Sequence, residues 1–312
     1  MIILTKKIVD SYKFVKAIQH IKPLNKSGIF LRIFFQRILF SYPSIRNLIK
    51  ARQPKKKDTL KIFFENDISS SEALKDLDKR GYSDTFLIKH EYVKKIKEEI
   101  PEIIEKISLK GRKKSFFDTS KLYCKNIDEF AEYTKSKKIS HIKLVLSLTK
   151  NSTLKKIILS DFFKNFAKDF LSSKDFIVNA VCYISNPLEK KMDNSEKNEN
   201  AQLFHTDINY NKFFKTFIYL SNVGDLDGPH VFIPGSHKNK KNKHTLIKRY
   251  EDNELKDYSK PVKFLGSKGS LFLEDTFGFH KGDTPIKNSR IAIVVEFGKN
   301  NIKYDDNFIK IN

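Results

Sequence analysis

The 312-residue chain predicts an α+β fold: a jelly roll or barrel of short strands, with a helical first half packed on its outside. Three observations predict it. From about residue 60 to 171, apolar residues recur at three- and four-residue spacing, the period of a helix with one buried face. From 174 onward the pattern changes to short runs rich in β-branched and aromatic residues. Turn-forming residues separate those runs, as an antiparallel jelly roll requires.

The elements follow in order. Residues 1–57 form a basic, helix-prone extension with 14 Lys/Arg and one acidic residue, Asp10. Within it, Ile29 to Phe40 places Arg32, Gln36 and Arg37 together on a helix and leaves a broad apolar face. That face can lie on an anionic membrane surface beside its lysines. Packing on the rest of the chain is the simpler expectation. Residues 58–172 form the mainly helical part. Ser70 or Ser71 caps a short helix that stops near Gly81, and helical spacing returns at His90 to Ile107 and Asn151 to Leu171. Residues 173–312 form the jelly-roll core, and 58–312 read as one domain. Its strands are expected at Phe176 to Ile184, Phe213 to Leu220, His230 to Ile233, Lys263 to Leu265, Ser270 to Leu273 and Ile291 to Phe297. Two long polar segments, 186–201 and 237–260, fit lids over a site. There are no internal repeats.

Composition narrows the function. With 39% hydrophobic residues, 27 Phe and 12 Tyr, the chain can build a real core and is not disordered by default. The two cysteines, Cys124 and Cys182, are far apart and suggest neither a disulfide framework nor a zinc ribbon, so the expected compartment is the reducing cytoplasm. No secretory signal and no run of membrane-spanning length is apparent. The net charge of +23 is concentrated at the start of the chain. Lysine outnumbers arginine 52 to 8, which points to codon bias as much as to a selected basic surface. With no recognisable nucleic-acid module, nucleic-acid binding is not expected. A basic surface concentrates anions, so the expected partner is a small-molecule substrate, anionic or carrier-linked, with peripheral membrane contact through 1–57 as the further option.

The chemistry resides in His205-Thr206-Asp207, in His280 and in Arg290. Alternate residues of a strand face the same side, so His205 and Asp207 can reach one metal ion while Thr206 faces away. The apolar run Ser270 to Leu273 leads to His280, which can supply a third ligand. Two imidazoles and one carboxylate on one face of Fe(II) leave the other positions open. Plainer readings exist: a hydrogen-bonded pair at a strand end, a loop histidine and a surface salt bridge. Arginine is scarce here, and its planar fork matches a carboxylate in a way lysine does not, which favours a binding role for Arg290. His230 and His237 read as structural.

Taken together, Gln202 to Asp207, Asp227 to His237, Gly269 to Leu273 before His280, and Arg290 resemble the phytanoyl-CoA dioxygenase family over roughly residues 70 to 300. The resemblance implies a double-stranded β-helix and a dioxygenase that uses Fe(II) and 2-oxoglutarate, hydroxylating an unactivated C–H bond with release of succinate and CO2. It implies His205, Asp207 and His280 as iron ligands, Arg290 on the distal carboxylate of 2-oxoglutarate, and Gln202 in the cosubstrate shell. The family often carries a hydroxyl residue two positions after the distal histidine. Here that residue is Gly282, which leaves Thr216 or Thr284 as candidates for the missing hydrogen bond. Cupins on the same architecture usually present His-x-His, and halogenating relatives lack the carboxylate that Asp207 provides. The alternatives are a non-catalytic metal-binding jelly roll and a peripheral membrane-binding protein.

Overall fold

Alternation along one strand sorts the molecule into layers. In the computed structural model, strand β10 (Arg290–Gly298) sends Ile291, Ile293, Val295 and Phe297 into the main core, and Ala292 and Val294 into a second apolar cluster. The main core lies between this sheet and the helices. The second cluster fills the space between two facing sheets. The structure describes residues 62–66, 69–110, 124–187, 201–209, 212–241, 244, 249–299 and 309–311. The basic segment 1–57, its Ile29 to Phe40 pattern and most of the 186–201 segment lie outside the described residues.

The major sheet is antiparallel throughout. Its order is β1 (Phe86–Leu87), β8 (Ser270–Glu274), β5 (Phe213–Tyr219), β10, β4 (Phe176–Ser185), β3 (His141–Leu146) and β2 (Ile104–Lys110), with β11 (Ile309–Ile311) also paired to β4. The minor sheet has the order β7 (Val262–Phe264), β6 (His230–Phe232) and β9 (His280–Gly282). Single-residue bridges extend it, among them His205 to His280 and Phe204 to Tyr250.

Among the described residues, five helices cover the outer face of the major sheet: α1 (Ser70–Lys79), α2 (His90–Ile103), α3 (Ile127–Ser136), α4 (Thr153–Ile158) and α5 (Asp161–Leu171). Each buries one stripe. On α5 the stripe is Phe162, Phe163, Phe166, Ala167, Phe170 and Leu171. Local capping sets the starts. Asn126 accepts hydrogen bonds from the backbone of Asp128 and Glu129, and Ser152 accepts one from Lys155. The cap of α1 is Ser69, not Ser70 or Ser71, because Ser69 has the extended backbone that lets its hydroxyl reach back to Glu72. Gly81 follows α1 at φ +93°, and a Cβ there would meet Phe232 at 2.7 Å.

Two further expectations change. Helical spacing continues from His90 to Ile107, yet the helix ends at Ile103 and Ile104 opens β2. Pairing with β3 satisfies the backbone of this β-branched stretch better than a further turn after Pro101 does. The major sheet therefore draws strands from both sides of residue 172. Segment 237–260 is also more than a loop, since Tyr250 pairs with Phe204 and a 3-10 turn spans Asp252–Leu255. Among the described residues, no helix is long and apolar enough to cross a membrane.

Phe297 is fully buried where the layers meet, with its ring stacked on Phe214 at 4.7 Å and on Phe163 at 5.7 Å. Replacing it with alanine leaves a cavity between sheet and helices. Denaturant unfolding of Phe297→Ala is expected to show a loss of about 3–5 kcal/mol; a change below about 1 kcal/mol would mean that the helical layer contributes little.

Candidate metal centre

The centre is built by backbone pairing. His205 and His280 exchange two backbone hydrogen bonds, 2.9 and 3.0 Å long, so the imidazoles emerge side by side with ring centroids 4.2 Å apart. The Asp207 amide donates to Thr276 O at 2.9 Å, which holds the next residue of the same face alongside. Among the described residues, His205, Asp207 and His280 form a group whose ligand atoms lie within 4.8 Å of one another.

Hydrogen bonding orients the rings. His205 Nδ1 faces Leu203 O at 3.0 Å, and His280 Nδ1 faces Gly278 O at 3.0 Å. A ring nitrogen facing a carbonyl carries a proton, so Nε2 is the atom that each ring turns towards the cavity. His280 Nε2 then faces Asp207 Oδ2 across 3.2 Å. With metal–ligand bonds of about 2.1 Å, neighbouring ligands stand roughly 3 Å apart, so this pair already has the required spacing.

Electrostatics favours the ligand-competent forms. Burial, reinforced by His280, holds His205 well below the usual imidazole range, so its ring is neutral. Burial opposes ionisation of Asp207, but Lys215 and the imidazoles outweigh it and hold the carboxyl well below the usual range. Lys215 Nζ lies 2.7 Å from Asp207 Oδ2 and 3.3 Å from Glu296 Oε2. Those two carboxylates overcome the effect of burial and push the Lys215 ammonium up.

Arg290 reaches the same cavity from β10. Its Nη1 donates to Gly228 O, and its Nη2 donates to Ser185 Oγ at 3.4 Å. Gly282 explains itself here. A Cβ at that position would stand 2.6 Å from Arg290 Nη2, so the absent side chain is the space the guanidinium occupies. Neither threonine supplies the hydroxyl that the resemblance leaves missing. Thr216 belongs to the face of β5 that carries Phe214 and Ile218 into the main core, whereas Lys215, Phe217 and Tyr219 line the cavity. Thr216 is therefore removed from the candidate shell by strand alternation. Thr284 donates to Gln202 Oε1 at 2.8 Å, and neither residue lines the cavity. Gln202 thus stands behind the site, bonded to a neighbour.

The cavity encloses about 230 Å³ between the sheets. Sequence reasoning misses several of its polar residues. His230, read as structural, lines it and shares a 2.7 Å hydrogen bond with Glu274, whose buried carboxyl is pushed up to about 8. His237 is structural, bonded to Asp78 O. Lys215 is discoverable only once β5 is known to face its odd-numbered residues inward. Arg249 also lines the cavity, and arginine scarcity, the signal that singles out Arg290, would have found it.

No known family profile matches the chain, and no curated protein matches it in sequence. Solved structures do match in shape. The non-heme alpha ketoglutarate dependent carbocyclase SnoK from nogalamycin biosynthesis is 11% identical at a TM-score of 0.50, covering 83% of this chain and all of SnoK. The epimerase SnoN of the same biosynthesis is 11% identical at 0.49, covering 73% of this chain and 80% of its own. EctD from S. alaskensis, solved with bound Fe, is 12% identical at 0.49, covering 80% and 86%. At such identities the match to SnoK speaks for the fold alone: a jelly-roll core of antiparallel strands.

The donor set makes a direct prediction. Calorimetric titration under nitrogen is expected to show one Fe(II) per chain, and His205→Ala or His280→Ala should each abolish that stoichiometric binding. A His280→Ala protein that holds one Fe(II) with unchanged affinity would remove His280 from the ligand set.

Proposed function

We propose that the protein is an Fe(II)- and 2-oxoglutarate-dependent dioxygenase that hydroxylates an unactivated C–H bond of a small molecule. The observation that carries this reading is the convergence of His205, Asp207 and His280, with ligand atoms within 4.8 Å of one another, in a cavity that also holds the Arg290 guanidinium over Gly282. His205, Asp207 and His280 supply two imidazole nitrogens and one carboxylate, a donor set suited to Fe(II) with open positions left over. The bound iron and cosubstrate would together supply the oxidising power, with succinate and CO2 as the by-products.

The chain's own residues provide position, charge and dryness. Arg290 offers a planar fork to the distal carboxylate of 2-oxoglutarate, and Gly228 O and Ser185 Oγ hold that fork in place. Lys215 keeps Asp207 ionised and aligned, while Glu296 shares the ammonium and is itself held by Asn209 at 2.6 Å. Phe217, Ala292 and Val294 make the apolar floor that excludes water from the reacting centre. Asp207 occupies the position that halogenating relatives leave open, which favours hydroxylation.

The cosubstrate assignment is tested at two residues. In Arg290→Lys one point charge replaces a fork, and the 2-oxoglutarate requirement should rise on the order of 30- to 1000-fold while Fe(II) remains bound. Gly282→Ser returns the family's hydroxyl, yet its Cβ would enter the space of Arg290 Nη2. It should therefore weaken 2-oxoglutarate by about tenfold or more. An unchanged 2-oxoglutarate titration in both variants would move the carboxylate site to another residue.

A further inference from the structure

Among the described residues, three lysine or arginine side chains face the cavity: Lys215, Arg249 and Arg290. Two of them are engaged. Lys215 sits between Asp207 and Glu296, and Arg290 is bonded to Gly228 O and Ser185 Oγ and is assigned above to the cosubstrate. Arg249 differs. Its Nη1 is buried and has no hydrogen-bond partner among the described residues. A buried guanidinium donor without an acceptor is costly to keep, unless a ligand supplies the acceptor.

The backbone fixes where this donor points. Phe204 and Tyr250 exchange both backbone hydrogen bonds, 3.0 and 2.8 Å long, which makes them a directly opposed antiparallel pair. The next residues in register are His205 and Arg249, and alternation puts both on the face opposite to Phe204 and Tyr250. Phe204 and Tyr250 accordingly enter an apolar cluster with Val231, Ile233 and Phe279, while His205 and Arg249 enter the cavity. Directly opposed residues on one face stand about 5 Å apart at Cβ, so Arg249 flanks a metal-ligand position.

We propose that Arg249 binds an oxyanion of the substrate (a carboxylate, phosphate or sulfate), so that the enzyme acts on an anion. Because Arg249 stands beside His205, the oxidised carbon lies within a few bonds of that anionic group and not at the end of a long tail. Arg290 enters from β10 in the other sheet, which leaves the cosubstrate carboxylate and the substrate anion with separate guanidinium partners. The inference rests on the Fe(II) and 2-oxoglutarate reading for the rest of the site.

The experiment uses the full chain loaded with Fe(II) and 2-oxoglutarate under nitrogen, titrated with inorganic phosphate, sulfate and acetate. Binding is read by calorimetry and by perturbation of the visible absorption of the iron–cosubstrate complex. At least one of the three anions should bind wild type saturably. Arg249→Gln should weaken that anion by about tenfold or more while 2-oxoglutarate affinity stays within about twofold, with thermal melting confirming the fold. Should the Gln variant not fold, Arg249→Lys, which keeps the charge and loses the fork, is expected to weaken the anion several-fold. Three results would overturn the proposal: no binding of any anion to wild type, equal affinity in wild type and variant, or displacement of 2-oxoglutarate by the anion. A wild type that binds no 2-oxoglutarate would sink the cosubstrate reading instead. Titration of the Fe(II)-loaded protein would then still report on Arg249 directly.

Discussion

The two hydrogen bonds between the backbones of His205 and His280 organise everything around them. They join the strand-like stretch 203–205 to β9 and so make two imidazoles, 75 positions apart in the chain, immediate neighbours. The same pairing puts Phe204 and Tyr250 in register on the other side, which delivers Arg249 to the cavity. A one-residue slip in this register would exchange His205 for Phe204 or Thr206 on the inner face, since side chains alternate with a period of two. Apolar anchors oppose such a slip: Phe204, Tyr250 and Phe279 are all buried in one cluster on the outer face.

Charge in the cavity is arranged by the same alternation on the opposite sheet. Lys215, Phe217 and Tyr219 face inward from β5, and Arg290, Ala292 and Val294 face inward from β10. Each strand thus contributes one cation near the cavity and apolar residues beside it. Burial alone would drive Asp207 towards its neutral form and Lys215 towards its own, but at 2.7 Å each stabilises the charge of the other. Leaving either partner alone would strand a buried charge, so the pair persists as a unit.

Gly282 shows how a departure from a family pattern becomes readable in three dimensions. A side chain there would occupy the volume of the Arg290 guanidinium. The Gly228 carbonyl and Ser185 hydroxyl on that same guanidinium come from two further segments of the chain, so the cation is held from several directions. The helical layer contributes by rigidity. The aromatic stack Phe163, Phe297 and Phe214 ties α5 to β10 and β5, the two strands that carry Arg290 and Lys215.

Periodicity and composition made much of this legible. Strands β4, β5, β6, β7, β8 and β10 follow from β-branched runs and turn residues, the shared side of His205 and Asp207 from a two-residue spacing, and the interest of Arg290 from the scarcity of arginine in a lysine-rich chain, whereas β9, which carries His280, was not read as a strand. These are local signals, and strand geometry acts on them directly. The strands β1, β2 and β3 were not legible, because the apolar spacing before residue 172 suits a helix as well and only their partners in the sheet resolve it. The inward role of Lys215, the outward turn of Thr216, the Gln202–Thr284 bond and the place of Arg249 belong to the tertiary structure alone. Each depends on which face of a strand looks into the cavity and which residue stands across from it. Register between segments distant in sequence sets both, and no short window of the chain contains that register.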